Sequence, residues 1–89
     1  MNVEYLPSFV KDLKALKSTP VFEKVKTLVF EEIPGCTSLE EVRTLTKLTD
    51  YENCYRIRVD DYRIGLVMEG NLLTFARVLH RREIYRYFP

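Results

Sequence analysis

The sequence predicts an α+β fold in which two N-terminal helices pack on one face of a small antiparallel β-sheet, in the order strand, helix, helix, strand, strand, strand. Three observations carry this: helical apolar spacing confined to residues 9–33, alternating apolar and polar residues over 54–79, and very short connections at 60–61 and 69–71. Tight connections make consecutive strands antiparallel, and helices that precede such a meander collect on one side of it. The other face of the sheet is then left open.

Val3-Glu4-Tyr5-Leu6 alternates and predicts a short first strand. Pro7-Ser8 follows, with Ser8 as the expected cap of a helix whose apolar positions Phe9, Leu13 and Leu16 share one face. Thr19-Pro20 is a second start signal, Thr19 accepting orphan backbone donors and Pro20 preset for the first turn. The longer helix that follows carries Phe22, Val25, Leu28, Val29 and Ile33 on one stripe, opposes them with Glu23, Lys24, Lys26 and Glu31, and ends at Pro34-Gly35. Ser38-Leu39-Glu40-Glu41 fits a capping box and predicts a short helical turn. After the Leu45–Glu52 segment come three strands, Cys54–Val59, Tyr62–Met68 and Leu72–Leu79. Tyr51, Tyr55 and Tyr62 are expected in the core or at its edge, and Asp60-Asp61 serve the turn.

A chain of 89 residues with 46% hydrophobic and 30% charged residues forms one domain over 1–89, with a single core. No apolar run approaches the roughly 20 residues that span a bilayer, and Met1-Asn2-Val3-Glu4 lacks a signal peptide's basic flank, so the expected location is the cytoplasm and no membrane partner is expected. Cys36 and Cys54 are too few and too widely spaced for a metal knuckle or redox pair and are expected as reduced thiols. With one histidine and no carboxylate cluster, neither a metal nor another cofactor is expected.

Charge is distributed unevenly. Residues 1–50 hold six lysines and a single arginine, Arg43, against eight acids, whereas residues 51–89 hold seven arginines and no lysine against five acids. Arginine offers a rigid fork of donors that holds a phosphate or carboxylate through two parallel bonds, and lysine does not. In the first meander strand Tyr55, Ile57 and Val59 alternate with Arg56 and Arg58, so the arginines point to the open face; Arg63 and Arg77 join them if register permits. The formal net charge of +1 is far below that of proteins that hold nucleic acid by charge alone.

The run Tyr55-Arg56-Ile57-Arg58-Val59-Asp60-Asp61-Tyr62-Arg63-Ile64, with Arg77-Val78-Leu79-His80-Arg81-Arg82-Glu83-Ile84-Tyr85-Arg86, resembles the RelE/ParE superfamily of toxins from type II toxin-antitoxin systems, and is most similar to its RelE branch. The resemblance implies a RelE-like fold and a metal-independent mRNA endoribonuclease that acts on message in the ribosomal A site. It implies that the family's paired basic residues fall on Arg56 and Arg58, the basic residue after the strand turn on Arg63, the arginine near the end of the last strand on Arg81, with Arg82 as its neighbouring alternative, and the C-terminal tyrosine on Tyr85. It also implies a cognate antitoxin as partner, one that folds on binding and carries any contact with DNA.

Metal-free RNA cleavage by a 2′-hydroxyl places negative charge on the nonbridging phosphate oxygens, and fixed cations stabilise that charge more than they stabilise the ground state. Arg58, Arg63 and Arg81 fit this clamp; Arg56, Arg77 and Arg82 fit contacts to phosphate; and Tyr85 fits a platform for a base or a group in proton transfer. His80 is open to two readings, general acid or base for the leaving oxygen, or a structural residue at a strand end. Two rivals use the same residues: a ParE-like toxin that binds and inhibits DNA gyrase without catalysis, and an inactive domain that only receives the antitoxin.

Overall fold

The meander expected from Cys54 onward is the spine of the fold. The computed structural model describes residues 1–89 and forms this spine from β3 (Cys54–Val59), β4 (Tyr62–Glu69) and β5 (Leu72–His80), antiparallel in sequence order. Asp60 and Gly70 turn the two connections with left-handed φ of 53° and 58°, a region open to short polar residues and glycine. Ile57 of β3, Ile64 and Leu66 of β4, and Leu73, Phe75 and Val78 of β5 form the floor of the core, the step from Phe75 to Val78 crossing the register shift in the β4–β5 ladder.

The sheet is mixed and has five strands, in the order β1-β5-β4-β3-β2. This corrects the all-antiparallel expectation while leaving the α+β class intact. β1 (Asn2–Tyr5) runs parallel to β5, and β2 (Leu45–Lys47) adds antiparallel to β3 at the opposite edge. Two helices carry the chain from β1 back across the sheet, and a crossover of that kind permits parallel pairing where a tight turn does not. Three residues of β2 with Thr46 and Lys47 exposed carry no alternation long enough to read.

α1 (Pro7–Lys14) begins with Pro7 in its first turn and Leu6 as its extended N-cap. Ser8 does not cap it. Its hydroxyl donates instead to the Ala76 carbonyl (2.7 Å), and Asp12 accepts the Val78 N–H (3.1 Å), so α1 satisfies the edge of β5 beyond the reach of β1. The edge needs this because β1 pairs with β5 only as far as Tyr5 and Phe75; just beyond, the β4–β5 register shifts at Gly65/Leu66 and Ala76 has no partner across that ladder. Thr19 likewise donates backward to the Leu16 carbonyl (2.7 Å), and α2 (Val21–Thr27) starts after Pro20 without a side-chain cap.

From α2 the chain widens into a π-turn, Leu28–Glu32, and tightens into a 3₁₀ turn, Ile33–Gly35. Val21, Val25, Val29 and Ile33, one every fourth residue, are buried against the sheet, while Phe22 and Leu28 flank them half-buried. Gly35 lacks the left-handed φ expected of a glycine stop; the 3₁₀ turn closes the helix. Tyr5 stacks on Phe75 (5.3 Å between centroids), donates its hydroxyl to the Val29 carbonyl, and has its pKa raised by desolvation. The capping box forms as expected: Ser38 accepts from the Glu40 N–H (3.0 Å), and Glu41 accepts from Ser38 (3.1 Å) and Thr37. Tyr51, expected near the core, is exposed ahead of β3, whereas Tyr55 and Tyr62 pack at the core edge.

The face opposite the helices is only partly open. A short α3 (Ile84–Tyr87) and Phe88 fold onto it, burying Ile84 and Phe88 with Cys54 and Ala76 in a second small cluster. Phe88 lies flat on Gly65, close enough that a Cβ there would sit 2.5 Å from the ring. Cys36 and Cys54 are both free thiols. No helix is long and apolar enough to cross a membrane.

Candidate functional site

Alternation in β3 and β4 puts Ile57 and Ile64 under the helices and turns Arg56, Arg58 and Arg63 the other way, with Arg58 directly opposite Arg63. Like charges facing each other across a ladder are destabilising unless something anionic joins them. Arg43 approaches from the segment before β2, which is held by Thr44: its hydroxyl donates to the Arg58 carbonyl (2.8 Å), and its own carbonyl accepts the Arg58 N–H (3.3 Å). The result is a cleft of about 420 Å³ walled by Arg43, Arg56, Arg58, Arg63 and Tyr85, with no carboxylate in its lining.

On the far side of Arg63 and Tyr85 lies a second, shallower hollow of about 490 Å³, bounded by Arg63, Arg81, Arg82 and Tyr85. Arg63 is common to both hollows, and its guanidinium is fixed by the Asp60 and Tyr62 carbonyls (3.0 and 2.9 Å). Arg81 is held by its backbone N–H on the Asp61 carbonyl (2.7 Å), with a loose ionic contact to the Asp61 carboxylate at 3.8 Å. Six arginines thus surround one exposed tyrosine, so a net charge of +1 conceals a strongly positive face.

Tyr85 is 72% exposed, yet its ring is placed: the Arg56 guanidinium lies 4.4 Å from the centroid on one side. The other side faces solvent. Arg56 also donates to the Phe88 carbonyl (3.3 Å), and its Nε is buried without a partner.

Two of the residues singled out from sequence lie elsewhere. Arg77 closes a bidentate pair with Asp12 (2.6 and 3.0 Å), which raises the guanidinium's pKa above its ordinary value, and it lies beneath Tyr87 (5.1 Å). His80 lines neither hollow. Its Nδ1 accepts the Arg82 N–H (3.2 Å) and its ring meets Tyr62 edge-on (5.4 Å), so it shapes the turn that carries Arg81 and Arg82. Sequence reasoning missed Arg43 at the cleft wall, although it is the one arginine in the lysine-bearing half. It also missed Asp12 and Gly65, whose roles depend on contacts distant in sequence. No group of three or more His, Cys, Asp or Glu side chains converges where a metal ion could be held.

Residues 3–85 match the family described as the ParE toxin of type II toxin-antitoxin system, parDE. Toxin RelE3 of Methanocaldococcus jannaschii is 42% identical over 90 residues, spanning 100% of both chains. Among solved structures, the RelB-RelE antitoxin-toxin complex from Methanococcus jannaschii has a chain 40% identical to this one, with a TM-score of 0.80 and coverage of 97% of this chain and 99% of that one. YafQ from E. coli, 20% identical with a TM-score of 0.65 and coverage of 94% and 97%, shares the fold.

Proposed function

Because the chain belongs to the RelE/ParE superfamily of type II toxin-antitoxin toxins, on its RelE-like side, we propose that it is an endoribonuclease that cleaves messenger RNA on the ribosome without a metal. The observation that carries this reading is the carboxylate-free cleft in which Arg58 and Arg63 face each other beside the exposed Tyr85. An unneutralised arginine pair of this kind costs folding energy and is relieved by an anion with several acceptor oxygens, which a phosphodiester supplies.

In the proposed reaction the 2′-oxygen of a ribose attacks the adjacent phosphorus and the bond from phosphorus to the 5′-oxygen breaks. A 2′,3′-cyclic phosphate and a 5′-hydroxyl result. The hydroxyl proton passes to solvent and the departing oxygen takes one back. Charge that builds on the nonbridging oxygens is met by Arg63, which two carbonyls already hold in place, and by Arg58 and Arg81 on either side. Preorganisation matters more here than basicity, since a donor fixed before the reaction needs no reorientation during it. Tyr85 offers its free face to a base and so aligns the attack; Arg43 and Arg82 bind the flanking phosphates. His80 takes no part, because it borders neither hollow.

The partner is a cognate antitoxin that covers the arginine face or pairs with an exposed sheet edge, and operator DNA is contacted through it. The cytoplasm is the compartment in which both message and antitoxin are met. The test is brief expression without the antitoxin, mapping new mRNA 5′ ends in parallel with gyrase supercoiling, for the wild type and an Arg63→Ala, Tyr85→Ala double variant. New ends within translated regions that vanish in the variant support the nuclease. Intact messages with lost supercoiling would move the chain to gyrase inhibition of the ParE kind.

A further inference from the structure

We infer that Arg56 and Arg77 are positioning residues, a pair of clamps beneath α3, with Arg56 holding Tyr85 over the cleft; this rests on the nuclease reading above only for its effect on rate. Arg56, Gly65 and Arg77 are register partners in one row across β3, β4 and β5. Neighbouring strands lie roughly 4.8 Å apart, so the two arginines stand about 10 Å from each other with the glycine between them. The C-terminal segment sits in this cradle. Phe88 rests on Gly65, Tyr85 on Arg56 at 4.4 Å and Tyr87 on Arg77 at 5.1 Å.

Neither guanidinium has its fork free for a phosphate. Both acceptor oxygens of Asp12 occupy the Nε and one terminal nitrogen of Arg77. Arg56 gives one terminal nitrogen to the Phe88 carbonyl, and its Nε is buried. A helix of four residues has no stability of its own, because a single turn fixes more dihedral angles than it gains hydrogen bonds. Its placement must therefore come from below: Ile84 and Phe88 through burial, and the two tyrosines through flat cationic partners. Lysine in either position would keep the charge but lose the plane that the ring lies on.

The experiment combines a double-mutant cycle with an NMR readout. Single-turnover cleavage of ribosome-bound message is measured for wild type, Arg56→Ala, Arg56→Lys, Tyr85→Ala and the Arg56→Ala, Tyr85→Ala pair. The Arg56 side-chain proton shifts are recorded in the free protein with and without Tyr85. The expected results are a rate at saturation reduced about 10-fold in Arg56→Ala with half-saturation little changed, no rescue by lysine, and a double variant no slower than Tyr85→Ala alone. The Arg56 protons are shifted upfield by the ring in wild type and lose that shift in Tyr85→Ala. Multiplying effects in the double variant with rescue by lysine would make Arg56 a substrate cation and overturn the inference, as would unshifted Arg56 protons in wild type. If wild type cleaves no message, the nuclease reading fails by itself, and the proton shifts still decide whether the clamp exists.

Discussion

Replacing Gly65 by alanine isolates the docking of the C-terminal segment from everything else in the fold. The added methyl carbon would lie 2.5 Å from two Phe88 ring carbons and 2.9 Å from a third. Carbon atoms in contact sit at about 3.5–4.0 Å, so one side must withdraw by about 1 Å or more. β4 is the middle strand of five, paired along both edges, whereas Phe88 belongs to a segment held by one short turn. The ring therefore moves. Overpacking that displaces the ring part-way costs about 1–3 kcal/mol, and complete release of the buried Phe88 costs a similar amount, about 2–3 kcal/mol. Each kcal/mol lowers the melting temperature of a domain of this size by about 4–8 °C. The assay is thermal unfolding by circular dichroism beside message cleavage, with Gly35→Ala as control because nothing lies within 4 Å of its added carbon. Gly65→Ala is expected to melt earlier and to cleave more slowly than its loss of folded protein explains, since Tyr85 moves with Phe88. A variant with unchanged melting temperature and activity would refute the reasoning.

Other perturbations read other parts of the molecule. Asp12→Ala strands the partly buried Arg77 and leaves the Val78 N–H unpaired, with an expected cost of about 2–4 kcal/mol in urea unfolding. The Glu41 carboxyl is held below its ordinary pKa by the Thr37 hydroxyl, then by the Thr37 and Ser38 N–H groups, so its contribution is complete above the ordinary carboxylate value and is lost as pH falls through the lowered one. The Thr37 and Ser38 amides are expected to exchange faster in that acidic window while the β4 amides stay protected. Tyr5 titrates in the opposite sense: burial raises its pKa, so the stability linked to its hydroxyl is intact below pH 10 and declines as pH rises through the raised value, seen as a falling urea midpoint. Arg58→Ala is expected to reduce the salt dependence of RNA binding by about 0.7 in the slope of log K against log salt, for one phosphate contact removed.

Most of the fold was legible because its signals are local. Alternation and two tight turns define the meander to within a residue, and the stripe Phe22, Val25, Leu28, Val29 and Ile33 marks the second helix, although Val21 takes the buried place expected of Phe22. What was not legible depends on partners far along the chain. The parallel pairing of Asn2 with Leu72 follows from the route of the crossover. The last four helical residues are placed by Ile84 and Phe88 burying on the sheet, where Gly65 leaves room for the Phe88 ring, and by Arg56 and Arg77 beneath the two tyrosines. Ser8 and Thr19 carried genuine capping chemistry in sequence, but their hydroxyls found carbonyl acceptors at Ala76 and Leu16. The candidate site divides the same way. Arginine in place of lysine pointed to the face where the two hollows lie, and strand parity brought Arg58 and Arg63 together on it. Parity could not foresee that Asp12, 65 residues away, fills the fork of Arg77, or that His80 turns toward Tyr62 and the Arg82 amide.

The chemistry of the cut ends tests the central claim most directly. Ribosome-bound message is cleaved with the purified toxin, the termini are identified, and the measurement is repeated with a 2′-deoxynucleotide on the 5′ side of the cleaved bond. Attack by the 2′-hydroxyl within the arginine cleft predicts a cyclic or 3′-phosphate on one fragment, a 5′-hydroxyl on the other, and no cleavage of the deoxy substrate. Cleavage that survives the deoxy substitution, or fragments that carry a 5′-phosphate and a 3′-hydroxyl, would contradict it.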